Sequence, residues 1–143
     1  MPTLALIALL TGLATQVVKV ILATARARRP DLSLLFSTGG MPSSHTATVT
    51  ALALLVADRE GVGSPLFSVT LLVGLYAMFE ATGLRQEVGK QARLLNELVD
   101  TLLTTHTFDR DRLRELTGHT WGEAAGGILC GVAGWLVARA LGV

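Results

Sequence analysis

The chain has 143 residues, half of them apolar, with a mean hydropathy of +0.53 and only 16 % charged residues. That is the length of one domain, 1–143, and too apolar for an ordinary soluble protein; the net charge of +1 gives no reason to expect a nucleic-acid partner. Cys130 is the single cysteine and lies in an apolar run, which excludes a disulfide framework and a cysteine metal site.

Leu4 to Ala25 reads as a membrane span, since about 20 apolar residues cross a hydrocarbon core. No basic stretch precedes it, so it is expected to be a retained span and not a cleaved signal. Gln16 and Lys19 share one face of this helix. Two readings of Lys19 stay open. A lysine near a helix end can snorkel to the interface, and a lysine inside a membrane domain can equally face a polar cavity as a functional group.

A basic loop with Arg26, Arg28, Arg29 and Pro30 follows, and then the stretch Thr38-Gly39-Gly40-Met41-Pro42-Ser43-Ser44-His45-Thr46. Two glycines, a proline, two serines and a histidine in nine residues suggest a corner entering a helix, with Pro42 at the first helical position. The free N–H groups at such a helix start form a ready anion site. The helix itself is expected from about Ser43 to Ala57, short for a complete span. Residues 58–65 read as a polar turn, and Leu66 to Phe79 as a third apolar helix ending at Glu80. After a connection, apolar residues at 88, 92, 95, 98, 99, 102 and 103 give the helical period, which predicts an amphipathic helix. Thr104 to Arg112 reads as a polar connection in which His106 is solvated. The last span is expected over Ala124 to Leu141, where Gly127 and Gly131 form a GxxxG pair that suggests a homo-oligomer through this helix.

The pattern predicts an all-α integral membrane helical bundle, with about four membrane-embedded helices and one amphipathic helix. In that topology, residues 24–45 and 81–121 lie on one side and carry nine lysines and arginines, while the other side has Arg59 and Arg139. The bias predicts a multi-pass protein of the cell membrane with its basic loops in the cytoplasm.

The groups able to do chemistry fall on that basic side. Cations and hydroxyls suit a phosphoryl group, and two histidines suit a nucleophile and a proton donor. His119 and Glu123 are four apart, so on a helix the carboxylate could fix the ring. Glu80 and Glu87, with Asn96 or His119, offer an oxygen site for a divalent metal, against which stands simple ion pairing with Arg85 or Arg93.

Pro42-Ser43-Ser44-His45 resembles the second motif of the PAP2 superfamily, the type-2 phosphatidic acid phosphatases, whose usual form has glycine in place of Ser44. Lys19 with Arg26 resembles the first motif, and His119 with Glu123 the third, where aspartate is usual. Taken with Gly83-x-Arg85, Leu95-Asn96 and Glu115-x-x-Gly118-His119, nearly the whole chain is similar to the divergent, vanadium haloperoxidase-related branch of that superfamily.

The resemblance implies that His119 forms a phosphohistidine, that Glu123 orients it and that His45 protonates the leaving group. It implies that Lys19, Arg26, Ser43, Ser44 and Arg85 hold phosphate oxygens. It further implies an acid phosphatase-type membrane hydrolase acting on a lipid phosphate or isoprenoid (di)phosphate, with no cofactor or metal. The rival expectation is a non-catalytic membrane protein that binds or transports an anionic lipid or phosphate in the same pocket.

Overall fold

A computed structural model describes residues 3–27, 40–102 and 120–143; within the helices, the side chains of residues 26, 27, 84–86, 101 and 102 fall outside that description. The order is α1 (Leu4–Ala27), α2 (Ser44–Glu60), α3 (Pro65–Phe79), a π-helical turn (Glu80–Leu84), α4 (Arg85–Leu102) and α5 (Trp121–Ala140). Everything regular among the described residues is helical. Among the described residues, three stretches are long and apolar enough to cross a membrane: Leu4–Ala25, Pro65–Asp100 and Trp121–Ala140. The architecture is the expected helical membrane bundle.

Helix α2 is the central post, packed against α1, α3 and α5. Its composition permits this. Ala47 and Ala51 are completely buried, and small residues let helix backbones come close where lipid gives no hydrophobic drive to association. A Cβ placed on Gly127 of α5 would stand 2.5 Å from the Ser43 carbonyl oxygen, and one on Gly131 would stand 2.7 Å from that of Ala47. Gly134 meets Thr11 of α1, and Gly12 of α1 meets Thr48 of α2. The expected GxxxG pair therefore exists, but it is buried against α2 of the same chain. That face of α5 is occupied by α2.

These contacts fix the directions. α1 runs antiparallel to α2 and α5, whereas α2 and α5 run parallel: Ser43 lies beside Gly127, Thr50 beside Gly131, and Asp58 beside Trp135 and Arg139. The N-termini of α2 and α5 consequently sit side by side at the end where α1 finishes.

Two expectations need correction. The third apolar helix does not stop at Glu80. It passes through the π turn into α4, so helix continues from Pro65 to Leu102. Glycine and charge in residues 80–87 look like a connection. Instead Ala81 and Thr82 are buried, and the Thr82 hydroxyl donates to the Met78 carbonyl at 2.8 Å, which keeps the widened turn inside the helix. Pro42, for its part, is not the first helical residue. Ser43 caps α2 and Ser44 begins it, so Pro42 stands one place before the cap.

Candidate functional site

The site end is built from the starts of two parallel helices and the last turns of a third. At α2, the Ser43 hydroxyl accepts from the Thr46 N–H at 3.3 Å, the bond that ends a helix neatly. At α5, the Thr120 hydroxyl accepts from the Glu123 N–H at 3.2 Å, and Glu123 Oε2 accepts from the Thr120 N–H at 3.1 Å. This reciprocal pair is a capping box. The two starts are tied together, because the Ser43 N–H donates to the Glu123 carbonyl at 3.0 Å. Two positive helix ends thus converge on one place.

Lys19 comes to that place from α1. It is only 2 % exposed, and its Nζ has no hydrogen-bond partner among the described residues. Gly40 packs on its stem: a Cβ there would lie 3.4 Å from Lys19 Cδ, and the backbone at φ +96° is the left-handed conformation that favours glycine. The charge of Glu123 acts on the ammonium from the α5 side. Of the two readings of Lys19, burial is the one observed. A buried ammonium without a partner is costly, and an ionisable group inside a membrane domain marks a functional site.

Other anticipated residues fall as follows. Ser43 is fully buried at the cap, and Ser44 is the first residue of α2. His45 follows it in the first turn and is exposed. Arg26 closes α1 and Arg85 opens α4, but their side chains lie outside the described set, as does the whole of His119. Helices thus bring Lys19, Ser43 and Glu123 together. Glu123 spends one carboxylate oxygen on its own helix start. Thr120-x-x-Glu123 has the sequence form of a capping box, and that signal is easily passed over when Glu123 is weighed only against His119.

On the oxygen-ligand alternative, Glu87 Oε1 pairs with Lys90 Nζ at 2.6 Å, one helical turn on, with both groups exposed. Glu87 thus has an ion-pair partner on its own helix. Glu80 is exposed on the π turn, and among the described residues no three acidic, histidine or cysteine side chains come together.

At the opposite end, Trp135 Nε1–H donates to Asp58 Oδ2 at 2.7 Å, and Arg139 lies 5.5 Å from the Trp135 ring centroid and 3.9 Å from the same carboxylate. Trp135 joins α5 to α2 through this bond. Trp121, Tyr76 and Phe79 are exposed around an apolar groove at the site end, where interfacial aromatics gather in membrane helices.

Comparison with known proteins agrees with this architecture. No solved structure matches the chain. The uncharacterized membrane protein YuiD of Bacillus subtilis (strain 168) is 40 % identical over 128 residues, covering 82 % of this chain and 81 % of the relative. The sequence profile of the Divergent PAP2 family matches residues 2–134. With its apolar helices and its membrane-protein relative, the chain is a helical membrane protein, and it belongs to the divergent PAP2 family.

Proposed function

We propose that the chain is a membrane phosphatase acting on a lipid phosphate or isoprenoid (di)phosphate. The observation that carries this reading is Lys19: a buried ammonium without a hydrogen-bond partner among the described residues, set where two helix N-termini converge. A phosphoryl group supplies what that place lacks, a spread negative charge able to accept from the ammonium and from cap N–H groups. The membrane setting selects a phosphate carried on an apolar chain, which stays in lipid while the headgroup enters.

In this reading a His119 imidazole nitrogen attacks phosphorus. The N–P bond forms, the P–O bond to the alcohol breaks, and the leaving oxygen takes a proton from His45. Water then attacks phosphorus and gives a proton to His45, the N–P bond breaks, inorganic phosphate leaves and both histidines are restored. Lys19, Ser43 and Ser44, with Arg26 and Arg85, hold the phosphoryl oxygens through both steps. Outside the spans, Arg26, Arg28 and Arg29 follow the first span in sequence and Arg110, Arg112 and Arg114 precede the last, which supports a site open to the cytoplasm.

The test is hydrolysis of a polyprenyl phosphate and of a diacyl lipid phosphate by the purified chain in detergent. Phosphate release by the natural chain and its loss in His119→Ala are expected. Undiminished release in that variant would remove His119 from the role.

One observation favours the second reading, a non-catalytic anion binder: Glu123 Oε2 is engaged at the Thr120 cap. Glu123→Gln separates the two, because glutamine also closes a capping box. If Glu123 orients the nucleophile, turnover falls at least about tenfold. If the pocket only binds, there is no turnover to lose, and phosphate affinity rises as a negative charge near Lys19 disappears.

A further inference from the structure

Five helical threonines of this bundle behave alike, and Thr46 differs from them. Thr11, Thr15, Thr48, Thr70 and Thr82 each donate the side-chain hydroxyl to the backbone carbonyl four residues earlier, at 2.8–3.0 Å. This is the usual way for a helical threonine to satisfy its hydroxyl in an apolar setting. Thr46 departs from it. Its Oγ1–H donates to the Ser43 hydroxyl oxygen at 3.1 Å, and its N–H donates to the same oxygen at 3.3 Å.

The consequence lies in how many bonds a serine hydroxyl can make. It has one proton and two lone pairs. A cap serine ordinarily commits one lone pair to the helix and remains free to turn the other way, as donor or acceptor. The Thr46 N–H takes one Ser43 lone pair, and a Thr46 hydroxyl proton given to the other leaves Ser43 only its own proton to give. Ser43 is 0 % exposed and Thr46 2 %, so water does not compete for either group. Their surroundings hold the Lys19 ammonium, the Gly40 corner and the paired starts of α2 and α5.

We infer that Thr46 is a positioning residue, which locks the Ser43 hydroxyl as a hydrogen-bond donor to a phosphoryl oxygen. The inference rests on the anion-pocket reading above and adds a residue to it. Thr46 itself touches no phosphate. It removes the orientation in which the Ser43 oxygen would present a lone pair to an anion and repel it.

The experiment is titration of inorganic phosphate into the full chain in detergent, followed by calorimetry, for the natural protein, Thr46→Val, Thr46→Ser, Ser43→Ala and the double variant Thr46→Val/Ser43→Ala. Thr46→Val keeps the shape and the backbone N–H but loses the donated hydroxyl bond, and is expected to weaken binding about fivefold. Thr46→Ser restores the hydroxyl and is expected to bind within about twofold of the natural chain. Because Thr46 acts through Ser43, the double variant is expected to bind no more weakly than Ser43→Ala alone. Thermal midpoints in the same detergent confirm that each variant is folded, and Thr46→Ala replaces the valine variant if that one does not fold.

Natural-like binding by Thr46→Val, or additive losses in the double variant, would overturn the inference while leaving the pocket intact. Absence of phosphate binding by the natural chain would overturn the pocket itself, and the role of Thr46 with it.

Discussion

The two ends of the α2–α5 pair are made from the same two helices and treat their polar groups in opposite ways. At the far end, Asp58, Trp135 and Arg139 are matched with one another and remain partly in contact with solvent. At the near end, Lys19 is buried and its ammonium has no hydrogen-bond partner among the described residues. Structural polar groups in membrane domains are satisfied, because hydrocarbon offers nothing in exchange for water. The far end obeys that rule and acts as a brace. The near end breaks it at Lys19, and a buried cation left unsatisfied has its natural complement in an anionic ligand.

The sharpest way to break this contrast is to part the two helices. Gly127→Val should have the largest effect, since a side chain there meets the Ser43 carbonyl and Thr46. A cost of about 3 kcal/mol or more is expected, with loss of phosphate binding, read from thermal unfolding in detergent. Gly126→Ala serves as the control. Its added Cβ would sit 3.3 Å from Pro42 Cβ, a tight but side-chain contact, and the loss should be smaller by at least about 1 kcal/mol.

Next comes Lys19→Met, which keeps the stem and removes the charge. Phosphate binding should fall by about two orders of magnitude, in keeping with the loss of a desolvated charged hydrogen bond. Stability should instead rise by about 1 kcal/mol or more, because an uncompensated buried charge is gone. Loss of both binding and stability would mean that Lys19 is a structural strut. The smallest effect is expected at the far end. Trp135→Phe gives up the 2.7 Å bond to Asp58 and should cost about 1 kcal/mol, with phosphate affinity unchanged.

Much of the fold is legible in the sequence because lipid imposes simple rules. Apolar length alone places α1 and α5 within a few residues of their ends, and the serine after Pro42 marks the start of α2. Residues 80–87 are harder. Gly83 and the charges around it resemble a loop, yet the widened turn at Glu80–Leu84 lets the helix run on. No local pattern announces such a turn.

The site divides in the same manner. Lys19, Ser43 and Glu123 stand out by residue type, and the structure gathers them. Whether Lys19 snorkels or turns inward depends on Gly40, a residue distant in sequence that seats its stem, and a periodicity carries no such information. The second role of Glu123 is written in Thr120-x-x-Glu123, and the role of Thr46 emerges only when its hydrogen bond is set beside those of the other threonines.

The most direct measurement is an experimental structure of the purified chain with orthovanadate, a phosphate analogue, soaked in. An anion within hydrogen-bond distance of Lys19 Nζ and the Ser43 hydroxyl, at the joined starts of α2 and α5, is predicted. An occupied anion site elsewhere on the molecule, with Lys19 still without an anionic partner, would contradict it.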